Sequence, residues 1–349
     1  MKRSNHRQAV IGLCLAAFLV SCLPASAQRY KVIDLGTLPG GAISNAFGVN
    51  DHAQVVGVSN GSPAITHAFS WTIPKGMKDL GTLGGNVSWA EAINDAAQIV
   101  GQAQTNSTAD AFLWTKGTMQ DLGSLGSGGN SQANAINYNA FTKTFTQIAG
   151  WSLTSDNSAH AVIWDASLNI VDLGTLGGSE SYAFGNNCNG QVVGFSATSG
   201  GGYDPFVWDA VHGMQDLGTL GGSMSGADGI NCFGVIVGES SLPGDTQTDP
   251  FVFSNGFMQD LGGLGGSYGE AKAVNDAGQV VGTANVAGDT DHHAFLWTPN
   301  TGLVDLNRLI PGNSGWDLQG ANSISNNGRI VGAGLHNGQG HAFLLVPAQ

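Results

Sequence analysis

The sequence predicts an all-β fold: a seven-bladed β-propeller of four-stranded blades, its ring closed by an N-terminal strand that completes the last blade. Three observations predict it. First, the phrase Asp-Leu-Gly-Thr-Leu-Gly-Gly stands whole at Asp79–Gly85, Asp172–Gly178 and Asp216–Gly222. It is nearly whole at Asp34–Gly40, Asp121–Ser127 and Asp260–Gly266, and degraded from Asp305. The leading aspartates are spaced 45, 42, 51, 44, 44 and 45 residues apart, a period that signals a propeller or solenoid. Second, each period holds four short β-branched or aromatic runs separated by turn residues, with no helical periodicity. Third, the last repeat stops after its third strand, at His341–Val346, while the chain near its start reads Tyr30–Leu35, like the fourth strand Asn169–Leu173. The two ends complement each other, which leaves no open edge.

In chain order, residues 1–27 read as a secretory signal. Lys2, Arg3 and Arg7 are basic, Ala9–Val20 is a short apolar core, and Ala25-Ser26-Ala27 is a small-residue cleavage site. A mature chain from Gln28 to residue 349 is then one propeller domain, secreted or periplasmic. A rival reading is a lipoprotein, with Cys22 as the lipidated residue of Leu19–Cys22. Nothing later is apolar enough to span a bilayer.

Of the 12 Lys and Arg residues, nine remain after cleavage against 25 acidic ones. Such a surface repels phosphate, so no nucleic-acid partner is expected. A monomer is expected, and no cofactor is implied. Cys188 and Cys232 occupy matching places in neighbouring repeats. A disulfide needs Cα atoms about 4.4–6.8 Å apart. Matching places in adjacent blades are expected to be farther apart, so this reading favours free thiols.

Repeat six shows the pattern. Gly269–Asn275 is the first strand, Asp276-Ala277-Gly278 a turn, Gln279–Gly282 the second strand, and His293–Thr298 the third. Leu303–Leu306 leads into the next phrase. Repeat three carries an insertion, Tyr138–Thr146. The combination of Asp-Leu-Gly-Thr-Leu-Gly-Gly, Ile-Asn-Asp-x-Gly-Gln-Val-Val-Gly and His-Ala-Phe-Leu-Trp resembles the bacterial extracellular HAF repeat family from Tyr30 to Val346. The resemblance implies secretion and repetition but no reaction. The chain departs from the pattern where Asp replaces His at 110, 204 and 249, where Pro replaces Ala at 205 and 250, and where repeat seven loses the glycines.

The recurring His67, His160, His293 and His341, and the Asp that precedes each Leu, are read as hydrogen-bonding groups that pin turns. The row Trp71, Trp114, Trp164, Trp208 and Trp297 is read as packing. Function is sought where repeats differ. After the recurring Ala stand Phe47, Glu91, Asn134, Phe184, Asp228, Lys272 and Asn322. If the first strand is innermost, these edge a central channel, and Glu91, Asp228 and Lys272 form a polar cluster. Trp89, Tyr182 and Trp316 are aromatics outside the packing row, suited to stacking on a ligand. Gly288–His293 is rich in metal-ligand types but lacks a binding-loop spacing, so no metal is assigned. No phosphate loop occurs. Long loops such as Ser240–Thr248 and Ala284–His292 gather on one side, the expected binding face.

The leading functional expectation is a secreted, non-catalytic scaffold binding a glycan or protein ligand through that loop face. The alternatives are an extracellular polysaccharide-acting hydrolase or lyase on a propeller scaffold, and a purely structural surface protein.

Overall fold

The computed structural model describes residues 30–62, 65–126, 128–139 and 145–348. The expected signal, Cys22, and part of the insertion in repeat three lie outside the described residues.

The chain is all-β, built of antiparallel four-stranded units. The unit that follows the first phrase shows the order: Ser44–Val49, Val55–Gly61, Ile65–Thr72 and Gly76–Asp79 pair in sequence. One sheet has eight strands because two such units touch through a single parallel pair, Thr248 with Tyr268. Second and third strands run further into the loops than the sequence suggests; the second strand of repeat six spans Val280–Val286. Strand Tyr30–Asp34 pairs antiparallel with Gln339–Pro347, Tyr30 opposite Pro347 and Asp34 opposite Phe343. The first residues of the described chain therefore complete the sheet of the last repeat.

Why these residues form these units follows from three recurring devices. The leading Asp of each phrase accepts the backbone N–H two residues on, as Asp79 Oδ1 does from Gly81 at 2.7 Å. That Gly has φ of +78°, which favours a residue without Cβ. The same carboxylate takes the ring nitrogen of the third-strand His: His67 Nδ1 to Asp79 at 2.9 Å, His160 to Asp172 at 2.9 Å, His293 to Asp305 at 2.9 Å. The turn-pinning expectation for these groups holds. Where Asp stands for His, two carboxylates face each other. Asp204 is raised above the ordinary value by burial and by Asp216, and Asp110 by burial and by Asp121.

The second device is a buried Ser on the first strand of five of the repeats, Ser44, Ser88, Ser131, Ser181 and Ser225. Ser88 Oγ accepts from Ala68 N–H at 2.9 Å and donates to Gly81 carbonyl at 2.6 Å, tying one unit to the next. Ser131 and Ser181 repeat this, and Ser44 accepts from Ala342 of the last repeat.

The third is a row of buried Asn at the first turn. Asn50 Nδ2 donates to the carbonyl of Asn94, Asn94 to Asn137, Asn137 to Asn187, Asn187 to Asn231, Asn231 to Asn275, and Asn275 to Ser325, at 3.0–3.2 Å. Each Oδ1 meanwhile accepts N–H groups of its own turn, as Asn94 does from Ala96 and Gln98.

Between units lie the apolar clusters. Val56 and Ala68 of one unit pack on Ala90, Ile99 and Phe112 of the next. The third-strand Phe residues are fully buried, Phe69, Phe112, Phe206, Phe251, Phe295 and Phe343 all at 0% exposure. Trp164 is also fully buried, and its Nε1 donates to Leu122 of the preceding unit at 3.0 Å. The packing role of the Trp row holds there and at the buried Trp71 and Trp297.

The expectation of free thiols is corrected. Cys188 and Cys232 form a disulfide with Cα atoms 5.4 Å apart. The two turns sit at the converging inner ends of their units, where matching positions come closest. Closing a loop of 44 residues is worth about 4 kcal/mol on chain-entropy grounds. The double variant Cys188→Ser/Cys232→Ser is expected to lose about 2–4 kcal/mol in urea unfolding; an unchanged midpoint would show that the thiols contribute nothing. Asn94→Ala removes a donor to Asn137 and an acceptor of two turn N–H groups. It is expected to cost about 2–4 kcal/mol in the same measurement, more than any Asn on an outer loop.

Candidate functional site

In every repeat, the pairing of first and second strands slips by one residue. The slip falls between Ala46 and Gly48, Ala90 and Ala92, Ala133 and Ala135, Ala183 and Gly185. It recurs between Ala227 and Gly229, Ala271 and Ala273, and Ala321 and Ser323. The residue left over in each bulge is the variable one: Phe47, Glu91, Asn134, Phe184, Asp228, Lys272 or Asn322. A β-bulge re-aims a side chain, and six of the seven line one cavity of about 840 Å³. The first-turn residues of all the units, Asn50, Asp51, Asn94 and Asp95 among them, line it too. The cavity thus lies toward the tight-turn end, not the long-loop side expected for binding. The inner strands converge at those turns, whereas the long loops lead outward to the third strands.

Glu91, Asp228 and Lys272 meet in this cavity. Burial pushes the Glu91 carboxyl up to about 7, against the pull of the Lys272 ammonium. Gln132 Nε2 donates to Glu91 Oε1 at 3.2 Å. Lys272 Nζ lies 3.7 Å from Asp228 and in direct contact with Glu270.

Two carboxyls that sequence reasoning did not single out as acids join them. Asp228, Glu239 and Glu270 each offer an oxygen within 4.8 Å of the others'. Glu239, on strand Ile236–Ser241, is raised well above the carboxylate range, first by burial and then by the charge of Asp228 and a hydrogen bond with it. Glu270 is raised by burial and by Asp228, with Lys272 opposing. Burial lowers Lys272, yet Asp228 and Glu270 outweigh it and hold the ammonium charged. Asp228 Oδ2 and Glu239 Oε2 are both buried and have no partner but each other. A proton on Glu239, donated to Asp228, satisfies both, since two acceptors that face each other cannot otherwise pair.

An aromatic group flanks these acids. Tyr182 and Phe195 rings stand 5.1 Å apart, Phe184 and Phe195 5.6 Å, and Trp151 meets Tyr182 edge-on at 5.7 Å. Bare Gly226 separates the two groups: a Cβ there would lie 3.0 Å from Glu239 Oε1 and 3.6 Å from Phe195. Tyr182 also donates to Glu180 at 3.3 Å. Trp89 is half-buried on Ser88–Ile93, opposite Gln102, and is not among the residues lining the cavity. Trp316 opens the strand Trp316–Ile324. It lines a different cavity, of about 860 Å³, and stacks on His336.

These bulged, antiparallel four-stranded units belong to the β-propeller class. The chain matches no family model and no curated protein sequence. It is similar in fold to several solved structures. One is the β-propeller domain of the Trilobed protease from Pyrococcus furiosus, at a TM-score of 0.57, 7% identity, and coverage of 88% of this chain and 96% of that one. A second is a puromycin hydrolase, at 0.56, 12% identity, covering 84% and 50%. A third is a puromycin-hydrolyzing peptidase from Mycobacterium tuberculosis, at 0.55, 11% identity, covering 88% and 49%. The chain spans about half the length of the latter two proteins. At these identities the likeness is one of fold. The expectation of a non-catalytic glycan- or protein-binding scaffold is corrected toward its hydrolytic alternative, since the three structures named are a protease domain, a hydrolase and a peptidase. Among the described residues, no helix is long and apolar enough to cross a membrane.

The carboxyls give stability a pH dependence. Folded Glu91 keeps its proton between the ordinary value of 4.5 and about 7, where the unfolded chain has released it. The folded state binds more protons there, so stability falls as pH rises through that window. The urea midpoint is expected to fall between pH 4.5 and 7, and Glu91→Gln to flatten part of that slope. A slope untouched by the substitution would exclude a raised Glu91.

Proposed function

We propose that the protein is an extracellular polysaccharide hydrolase of the HAF repeat type, working in the channel of a seven-bladed propeller. The closed ring is supported by the pairing of Tyr30–Asp34 with Gln339–Pro347. It is supported too by bonds from the last repeat to the first: Asn322 to the Ala46 carbonyl at 2.8 Å and Asn326 N–H to Asp51 at 2.8 Å. The signal-like N-terminus supports action outside the cytoplasm, by a protein released or lipidated at Cys22.

One observation carries the reading. Glu91 and Asp228 project from bulges into one cavity, and their surroundings separate their roles. Glu91, raised to about 7, holds a proton near neutrality and serves as general acid. Asp228 sits beside the Lys272 ammonium and serves as base toward water. Glu91 protonates the oxygen that leaves as the glycosidic C–O bond breaks. Asp228 takes a proton from the water whose oxygen bonds to the anomeric carbon. Glu239 and Glu270 fix Asp228 and Lys272. A cavity of about 840 Å³ has the size of a small-ligand site, so it suits a chain end. The structures similar in fold, a protease domain, a hydrolase and a peptidase, point the same way.

The test is a panel of polysaccharides incubated with purified protein, with reducing ends followed over time. Steady product release is expected, lowered about 100-fold or more by Glu91→Gln and likewise by Asp228→Asn. Activity should decline as pH rises above about 7, where Glu91 loses its proton. No product from any polysaccharide, or full activity in Glu91→Gln, would overturn the assignment and favour a structural protein.

A further inference from the structure

A second constellation lies apart from the acid cavity, where the first described strand meets the last repeat. Asp34 there takes two histidines rather than one. His341 Nδ1 lies 3.0 Å from Oδ1 and 3.1 Å from Oδ2, as in the other His–Asp pairs. His336 Nδ1 lies 2.9 Å from Oδ2. The ligating atoms of Asp34, His336 and His341 all fall within 4.8 Å of one another. We propose that Asp34, His336 and His341 form a binding site for a late first-row divalent cation, zinc foremost, that fastens the N-terminal strand to the final hairpin.

The chemistry favours this class of ion. Two imidazoles and one carboxylate are ligands of zinc, copper or nickel rather than calcium or magnesium. Bonds of about 2.0–2.2 Å set tetrahedral ligands roughly 3.3 Å apart, so the 2.9–3.1 Å His–Asp spacings need to open by a few tenths of an ångström, while the two histidine nitrogens lie within 4.8 Å of each other. On binding, each ring gives its Nδ1 lone pair to the metal and carries its proton on Nε2, or releases one proton if the ring is charged. Neither change requires oxidation or reduction.

The surroundings are those of a held site. The Trp316 ring stacks on His336 at 4.8 Å and 4° between planes, which fixes that imidazole. Gly36 N–H donates to Asp34 Oδ1 at 2.8 Å and orients the carboxylate, as supporting bonds do in metal sites. Two of the three ligands, Asp34 and His336, line the cavity of about 860 Å³, which leaves a fourth position for water. The molecule supplies its own controls. His67 with Asp79 and His160 with Asp172 have the same pairing without a second His. His293 is engaged by carboxylates at both nitrogens, Asp305 at 2.9 Å and Asp317 at 3.6 Å.

The inference is independent of the hydrolase reading, and its test reads metal, not turnover. Full mature protein, stripped with chelator, is titrated calorimetrically with zinc chloride, and with calcium chloride in parallel. One zinc per chain is expected, weakened at least tenfold in His336→Ala and unchanged in His67→Ala and His293→Ala. Zinc at a hundredfold excess over Kd should raise the thermal midpoint by about 3 °C or more in wild type and leave His336→Ala unmoved. His336 is partly exposed and outside the buried core, so its variant tests binding without unfolding the sheet; Asp34→Asn is the second variant. Absence of saturable zinc binding would overturn the proposal. So would binding that survives His336→Ala, or that disappears in His293→Ala instead.

Discussion

The molecule depends on one interaction made over and over: a buried Asn side chain that serves two units at once. Its oxygen closes the first turn of its own unit, and its nitrogen donates to the backbone of the next. A buried amide with every hydrogen bond made is rigid, and one with a bond missing is costly. The bulge residue always lies three positions before this Asn or its Ser325 equivalent, as Glu91 precedes Asn94 and Asp228 precedes Asn231. A fixed turn therefore fixes the aim of a side chain that is free to vary.

Constant and variable residues divide the work accordingly. The Asp row pins a turn within each unit, the Ser and Asn rows bond one unit to the next, and the Phe row fills the space between them. The bulge offers a place where Phe, Asn, Glu, Asp or Lys can all stand, because the extra residue leaves the ladder without breaking it. A charge placed there reaches a common space with its equivalents from other units, which is how Glu91 feels Lys272.

The repeat, the strand order and the complementary ends were legible in the sequence because each leaves a periodic trace. So was the variable row that holds Glu91, Asp228 and Lys272, since its variation stands out against fixed neighbours. Glu239 was not. It follows the close-packed Gly238 on the second strand, in a row that runs Val58, Gln102, Trp151, Phe195, Glu239, Thr283, Ala333. That row varies as well, and each member faces a first-strand partner: Gln102 meets Trp89, Trp151 meets Gln132, Phe195 meets Tyr182, Glu239 meets Gly226. What sets Glu239 apart is its partner, since the bare Gly226 opposite it leaves room for the carboxyl. The disulfide escaped because one-dimensional spacing says nothing about how far units taper toward their inner ends. His336 escaped because it belongs to no row; its chemistry arises only where Asp34 arrives from the far end of the chain.

The pairing of Tyr30 with Pro347 has a consequence for how the polypeptide is made. Synthesis proceeds from the amino end, so the opening segment emerges first and waits through more than three hundred residues for its mate. Every intermediate length carries an orphan ribbon, because the sheet that it joins is the last to be made. Assembly of the finished shape is a terminal event, and a nascent molecule stays vulnerable to misjoining with its neighbours until the final residues are out.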